Sequence, residues 1–344
     1  MVEVTTRPLT LRDALKSGLN NKPGLRVVGG ETPVAGLRLI ARSPAEADRG
    51  RAASGLSALV RSASQQYWVL VAAGTKVLAS EAPVELGENA LHRERAKLDM
   101  GIGRLADIAA AEEQLDRFKL QYVSDTADVI TRERQLRSTL GMPPADNRRI
   151  APTSVPFDGP LAPDLSQGLA AMMEHRPEIL TARKDAPDFV SEISLQTTRE
   201  VQQFHTKLNS NYEQLTAARV MKAATMQRME AAKAFAKEGK FGVEDYLDTV
   251  NRWATAVARE ADGLAVYNAN IVAYEESKGT LLDYAQIRLQ WEPAPADARI
   301  FEPSPTVGPR VDAPGRTYSF RFSFGSGPRP TEVRGSFTVG PPAP

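Results

Sequence analysis

The 344-residue chain contains no cysteine, which excludes disulfides and thiolate chemistry. No run of 18 or more apolar residues occurs, so no transmembrane helix is expected. The net charge of +1 gives no support for a nucleic-acid partner. The start, MVEVTTRPLTLRDAL, has no apolar signal core. A cytosolic chain, a chain whose signal was removed and a fragment all remain open.

Signatures of catalysis are also scarce. The three histidines, His92, His175 and His205, are isolated and lack metal-ligand spacing. No nucleophile elbow and no Walker loop occurs. GIGRLA at 101–106 matches the dinucleotide pattern G-x-G-x-x-A, but a charged helical segment precedes it where that site needs a strand. A helix-ending glycine is the favoured interpretation. We therefore expect no enzyme, no cofactor and no metal.

What the chain does contain is an internal repetition. GIGRLADIAAAEEQL begins at Gly101, and GKFGVEDYLDTVNRW begins at Gly239, 138 residues later. The same separation relates three further pairs: Asp107 and Asp245, Leu115 and Trp253, and Gly141 and Gly279. The openings LRDALKSGLNNKPGL and LSQGLAAMMEHRPEI lie 154 residues apart, so the second copy is 16 residues shorter in its middle. Each copy is too long for a solenoid unit, which indicates a duplicated half-protein.

Apolar periodicity predicts long helices in both copies. Residues 104–140 carry one seam seven residues apart, at Ile108, Leu115, Tyr122, Val129 and Leu136, and a companion seam at Ala111, Phe118 and Leu140. Residues 243–279 carry the seams Val250, Val257, Leu264 and Ile271, and Tyr246, Trp253, Tyr267 and Tyr274. Such heptads predict antiparallel coiled-coil packing onto the helices that precede them, at about 52–100 and 190–238. Pro83 predicts a bend or a break near residue 80.

The domain organisation follows from these elements. We expect a first repeat over 1–140 that opens with a short helix at 9–22, and a second repeat over 164–290 that opens with one at 164–175. A proline-rich linker, 141–163, joins them. The only strand-like piece before residue 52 is AGLRLIA at 35–41. A proline-rich tail, 291–344, contains RTYSFRFSF, whose alternation of Tyr318, Phe320, Phe322 and Phe324 predicts a strand or short β-hairpin, or else a disordered tail.

The order of these pieces resembles the TolC family of outer-membrane efflux proteins. The first copy contributes LTLRDALKSGLNNKPGLR, YWVLVAA, LDMGIGRLADIAAAEEQL and RQLRSTLGMPP. The second contributes HRPEILTAR, AKEGKFGVEDYLDTVNRW and ESKGTLLDYAQIRL. The resemblance covers about residues 9–289, and it is the duplicated order, more than any single motif, that is specific. It implies an all-α fold of duplicated long helical hairpins, a TolC-like α-barrel protomer.

The resemblance also implies a function. Three chains would form a homotrimeric periplasmic helical tunnel, an efflux and type I secretion duct of a Gram-negative outer membrane and periplasm. Periplasmic adaptor (membrane fusion) proteins and an inner-membrane transporter would be its partners. The adaptor-binding tips would be Gly101, Ile102, Gly103, Gly239, Lys240 and Phe241. Asp245 and Asp248 would form the pore constriction, with ordinary helix capping as the alternative for both aspartates.

The chain departs from the family pattern in two places. Too few residues separate Pro23 from Gly101 and Pro177 from Gly239 for strand pairs of 9 to 11 residues. We therefore expect the membrane β-barrel strands to be absent or vestigial, and no insertion into a bilayer by the chain alone. Lys240 also stands where the family usually has an apolar residue after the turn glycine, whereas Ile102 in the first copy is apolar.

The alternative function is a soluble coiled-coil scaffold without channel activity, and an enzyme is the third hypothesis.

Overall fold

The computed structural model describes residues 6–22, 25–28, 37–42, 49–144, 148–238, 240–292, 317–324 and 331–338. Its contacts divide the chain into one unit over Met1–Pro293 and a second over Ala294–Pro344. The first unit contains the helices α1 (Leu11–Asn20), α2 (Arg49–Asp99), α3 (Leu105–Thr139), α4 (Leu165–His175), α5 (Pro177–Asp185), α6 (Val190–Lys237), α7 (Val243–Lys278) and α8 (Leu281–Tyr284). A short 3₁₀ turn, Pro187–Phe189, joins α5 to α6.

Two long helical hairpins dominate the first unit. Helix α2 packs against α3, and α6 packs against α7. Both pairs are antiparallel: Thr139 at the end of α3 hydrogen-bonds Gln66 early in α2, and Arg95 late in α2 pairs with Glu112 early in α3. In the second hairpin the ring of Tyr212 packs against that of Tyr267, and His205 lies beside Tyr274. The predicted antiparallel hairpins are confirmed.

The two hairpins are joined side by side through α2 and α7. Ion pairs link Arg61 to Glu276 and Lys76 to Asp262, both at 2.6 Å. Because α2 packs against helices on both sides, its buried residues occupy more than one face of the helix. The helices therefore follow each other in the order α3, α2, α7, α6, and no extensive contact joins α3 to α6 among the described residues.

Most residues of the predicted heptad seams are buried, and the others are half-buried. Leu115, Phe118, Leu136 and Leu140 are buried at 4%, 4%, 0% and 1% exposure. Val250, Tyr267, Ile271 and Tyr274 are buried in the same way. On α6, buried residues recur seven apart at Val201, Leu208 and Leu215. A single seam thus attaches α6 to α7, which leaves most of the surface of α6 exposed.

Pro83 lies inside α2, so the break expected near residue 80 is wrong. The proline ring removes the amide that would bond the carbonyl of Ala79. Both residues line a cavity of about 480 Å³ between α2, α3 and α7. The proline ring therefore borders this cavity as well as packed side chains.

The first unit also contains short strands, most of which were not predicted from the sequence. β1 (Thr6–Leu9) pairs in parallel with β4 (Arg149–Pro152). β3 (Leu37–Arg42), which overlaps the predicted strand at 35–41, pairs antiparallel with β2 (Leu25–Val28) and parallel with β5 (Ile287–Glu292). Residues 35 and 36 of that predicted strand lie outside the described residues. The prediction that AGLRLIA is the only strand-like piece before residue 52 is therefore wrong, since β1 and β2 precede it.

The linker that follows α3 is held by buried side chains. The hydroxyl of Tyr67 accepts hydrogen bonds from the amides of Thr153 and Ser154 and donates to the carbonyl of Leu9. Further along the linker, the hydroxyl of Tyr267 accepts from the amide of Leu161 and donates to the carbonyl of Gly159.

The second unit consists of an antiparallel pair, β6 (Thr317–Phe324) and β7 (Thr331–Thr338).

Candidate functional site at the hairpin turns

The turn between α2 and α3 is built around two glycines with different roles. Gly101 has φ +75°, a left-handed conformation that a β-carbon resists. Gly103 is required for space, since a Cβ there would lie 2.5 Å from the amide nitrogen of Leu98. The amides of Ile102 and Gly103 both donate to the carbonyl of Lys97, at 3.0 and 2.9 Å. Because a helix precedes GIGRLA, the helix-ending interpretation is confirmed over the dinucleotide one.

The turn between α6 and α7 is described except for Gly239, which lies outside the described residues. The amide of Lys240 donates to the carbonyl of Phe235 at 3.0 Å, which closes the end of α6. The Lys240 ammonium pairs with Glu238 at 2.7 Å. Phe241 is half-buried and packs against the apolar cluster that contains Leu115. The structure thus separates Lys240, which is exposed, from Phe241, which belongs to the core.

Both turns lie at the same end of the hairpins. A cavity of about 340 Å³ separates the last turns of α2 from the start of α7. Its apolar lining comes from both hairpins: Met100, Ala96, Ala236, Phe241, Val243 and Tyr246. Its polar lining comes from α2 alone, namely His92, Arg93, Glu94 and Lys97. We call this space the turn cavity.

The charges beside the turn cavity differ in their partners. Glu94 is buried at 7% exposure and pairs with Lys97 at 2.7 Å. Arg93 is exposed, and its guanidinium lies 5.9 Å from the ring centroid of Tyr246. Burial raises the pKa of the Tyr246 hydroxyl, while the charge of Arg93 opposes that rise and Glu230 adds to it. Tyr246 is therefore a neutral aromatic wall with a cation over its face.

The first turn also exposes large apolar side chains. Met100, Ile102 and Leu105 are 66%, 74% and 73% exposed. Three such residues within six positions of a tight turn cannot be explained by packing inside this chain, which is typical of an interaction surface. Ile102 was predicted here from the sequence, whereas the exposed Met100 and Leu105 and the cavity-lining Arg93 and Tyr246 were not.

Asp245 and Asp248 lie on the first two turns of α7 but have different surroundings. Asp245 is exposed, and among the described contacts its carboxylate accepts no amide hydrogen bond at the helix start, where Gly242 is the N-cap. Its position in the first turn stabilises the helix dipole only. Asp248 pairs with Arg252 at 2.7 Å. The capping alternative is thus limited to the dipole interaction, and the charge of Asp248 is balanced within the chain.

The described residues include no group of three or more metal-ligating acids and histidines. Within the same residues, none of the helices has both the length and the apolar character needed to cross a membrane. What the turn region offers is an apolar cavity, a stacked guanidinium and an exposed apolar turn. These features suit the binding of another polypeptide.

No protein-family model matches the sequence, and no curated protein matches it. Solved structures do match. The outer-membrane channel OprN is 13% identical with a TM-score of 0.60, over 78% of this chain and 85% of that chain. The Campylobacter jejuni outer membrane channel CmeC is 14% identical with a TM-score of 0.55, over 68% and 65%.

A third neighbour is the outer membrane protein VceC of Vibrio cholerae, which is 11% identical with a TM-score of 0.52, over 68% of this chain and 72% of that chain. At such identities the similarity concerns the fold. These neighbours are TolC-family outer-membrane efflux channels. The two antiparallel hairpins described above are consistent with the helical hairpin packing of such channels. The chain therefore has the fold of the TolC-family outer-membrane efflux channels.

Proposed function

We propose that this chain is a duct component for efflux or export in the outer membrane and periplasm of a Gram-negative bacterium. Three copies form a helical tunnel that conducts its cargo passively and works with a periplasmic adaptor protein and an inner-membrane transporter. The chain performs no catalysis in this role. The fold it shares with outer-membrane channels supports the proposal.

The observation that carries the proposal is the exposed surface of the two outermost long helices. Helix α3 exposes Leu120 and Val123 at 71% and 64%. Helix α6 exposes Val220, Met226 and Phe235 at 66%, 50% and 50%. The four long helices form a row, and the helices at its two edges, α3 and α6, both expose apolar residues. Copies of the chain can therefore assemble by packing α6 of one copy on α3 of the next. Such a head-to-tail contact forms a ring when the rotation between neighbouring copies closes, which is the arrangement proposed here.

Similar helix ends in the two halves support the proposed duplication. Both α3 and α7 end at a left-handed glycine, Gly141 with φ +62° and Gly279 with φ +79°. The side-chain amide of Asn21, just after α1, donates to the carbonyl of Gly141, and a Cβ at Gly279 would lie 2.8 Å from the backbone of Arg176, just after α4. In each half, the end of the second long helix thus lies against the end of the first short helix. We propose the repeats 1–140 and 164–290 on this basis, with 141–163 as the linker and 291–344 as a separate tail.

The turn end is the proposed adaptor-binding end. Gly101, Ile102, Gly103, Lys240 and Phe241 all lie there, and Gly239 belongs to the same turn by its sequence position. In the proposed ring, Asp245 and Asp248 line the narrow end of the tunnel. Because Arg252 pairs with Asp248, Asp245 supplies most of the uncompensated negative charge.

Disulfide crosslinking tests the proposed ring. Because the chain has no native cysteine, only the introduced cysteines can form disulfides. The contacts Glu88–Lys119, Arg93–Tyr246 and Tyr212–Tyr267 relate the heights of the four helices and place Leu120 and Met226 at about the same level. A chain with both Leu120→Cys and Met226→Cys should give dimers and trimers on oxidation, with no larger species.

Each single-cysteine chain is a control, since it can form no ladder. Val155→Cys, at a linker residue that is 89% exposed, controls for random collision. A double variant that stays monomeric would favour the soluble scaffold. An open ladder beyond the trimer would exclude a closed ring of three.

A further inference from the structure

We infer that a cavity between the two hairpins binds an uncharged apolar molecule of about the size of benzene. The cavity has a volume of about 150 Å³ and lies between α2 and α7, next to Pro156 of the linker. We call it the linker cavity. Its lining residues belong to one chain, so the site goes beyond the proposed duct and does not depend on assembly of the chain.

The walls of the linker cavity are almost entirely apolar. They come from Trp68, Val71 and Ala72 on α2 and from Val257, Ala261 and Leu264 on α7. Engineered apolar cavities of about this volume bind benzene. A molecule gains most from entering when the surface that it removes from water is apolar. The size and the lining therefore select the same class of ligand.

The two polar residues at the linker cavity already have partners. The hydroxyl of Thr75 donates to the carbonyl of Val71 at 3.1 Å. The carboxylate of Glu260 forms ion pairs with Lys222 and Arg219, both on α6. A charged ligand would lose hydration in this cavity without gaining an unpaired countercharge from its lining. The cavity therefore favours a neutral ligand over an ion.

Pro156 closes one side of the linker cavity, and buried side chains hold it there. The hydroxyl of Tyr67 on α2 accepts from the amides two and three positions before Pro156. On the other side, Asn268 of α7 is 4% exposed and accepts from the amide of Phe157 and donates to its carbonyl, both at 2.9 Å. The linker is thus fixed at this point before a ligand arrives, which lowers the entropy lost on binding.

The linker cavity is also accessible from the surface. Val71, Val257 and Leu264 in its walls are half-buried, whereas Trp68 and Ala72 are buried. A small molecule can therefore reach the buried wall without unfolding of either hairpin.

Titration calorimetry of the full chain with benzene and pyrazine tests the inference. Pyrazine has the shape of benzene but carries nitrogen acceptors at opposite ends of the ring, so at least one acceptor must face the apolar wall. We expect benzene to bind saturably with one molecule per chain. Pyrazine should bind at least about fivefold more weakly, because a buried acceptor without a partner costs free energy.

Two matched variants locate the site. Ala261→Met fills the linker cavity and should weaken benzene binding at least about tenfold. Ala258→Met makes the same change three positions earlier on α7, at a residue that is equally half-buried and lines the cavity beside Pro83. It should leave the benzene affinity within about twofold. Circular dichroism should show the same helix content in both variants.

A conservative variant keeps the test decisive if Ala261→Met does not fold. Thr75→Val keeps the shape of the wall and replaces its hydroxyl by a methyl group. Benzene should then bind at least as tightly as it binds the unchanged chain, because the wall becomes more apolar. Weaker binding of benzene to Thr75→Val would contradict the role given to the lining.

The inference is overturned if benzene shows no saturable binding, if pyrazine binds as tightly, or if Ala258→Met weakens benzene as much as Ala261→Met. Benzene should also bind the trimer crosslinked through Leu120→Cys and Met226→Cys. Loss of binding on crosslinking would show that a neighbouring copy fills the cavity, and it would equally overturn the inference. Because calorimetry needs no trimer and crosslinking needs no benzene, failure of this inference and failure of the proposed duct are distinguishable.

Discussion

A buried ion pair near the end of α3 offers the most stringent test of the fold. Arg137 is 1% exposed, and its guanidinium donates to the Glu133 carboxylate at 2.9 Å and to the carbonyls of Pro143 and Arg148 at 3.3 and 2.6 Å. The same carboxylate accepts from the amide of Ile150. The pair therefore fastens the segment after α3 to the helix itself. Arg137→Met removes the cation and its contacts with the two carbonyls.

The expected loss in the free energy of unfolding depends on the Glu133 charge that Arg137→Met leaves without its main partner. Removing one partner of a buried ion pair typically costs about 3–5 kcal/mol, because the remaining charge stays desolvated. Arg149 lies 3.2 Å from Glu133 and still compensates part of that charge, so about 3 kcal/mol is expected for Arg137→Met. Adding Glu133→Leu removes the stranded charge. The double variant should then lose about 2 kcal/mol less than the sum of the single variants.

Urea unfolding followed by circular dichroism measures these differences. Arg117→Met is the control, since Arg117 and Glu113 form an ion pair in which both side chains are about two-thirds exposed. Its effect should stay within about 0.5 kcal/mol. Losses below about 1 kcal/mol for Arg137→Met, or strict additivity in the double variant, would refute the reasoning.

Four further outcomes are expected. Leu115→Asp places an unpaired charge in the cluster between the two hairpins, so it should cost more than about 3 kcal/mol in urea unfolding; a smaller loss would contradict the described packing. Gly101→Val should cost at least about 1–2 kcal/mol in thermal unfolding, since it forces a β-branched residue into φ +75°, and unchanged stability would mean that the turn can relax. Tyr267→Phe removes the hydroxyl that bridges the linker, and hydrogen exchange of the linker amides should accelerate without loss of helix; unchanged exchange would show that the linker is held elsewhere. Replacing Asp245 and Asp248 together with Asn should change stability by less than about 1 kcal/mol and weaken cation binding to the assembled trimer in calorimetry, whereas unchanged cation binding would leave both residues as ordinary surface acids.

The long helices could be predicted because their signal is local. Heptads over several turns fix which face is buried, and the seam residues Leu115, Leu136 and Ile271 are buried as expected. The predicted bounds of α3 and α7 differ from the observed ones by one residue at most. The break that Pro83 predicted near residue 80 does not occur, because α2 continues through this residue.

The missed elements depend on distant contacts. Strands β1 and β4 contain four residues each and come from opposite ends of the first half, so neither has a local pattern long enough to be recognised. Helix α5 was missed because Pro177 reads as the end of a helix, whereas here it begins one, where its missing amide costs nothing.

The candidate site was predicted only in part, for a similar reason. The turns were placed by their glycines, but the turn cavity needs residues from both halves. Arg93 and Tyr246 are 153 residues apart, and no spacing rule relates them. The exposure of Met100 and Leu105 also depends on the tertiary packing, which periodicity alone does not give.

Cryo-electron microscopy of the purified full chain tests the central claim most directly. The account predicts end-on views with threefold symmetry, in which α2, α3, α6 and α7 of three copies form one ring of twelve helices around an open lumen. Particles that contain a single copy, or twofold pairs without a lumen, would contradict it.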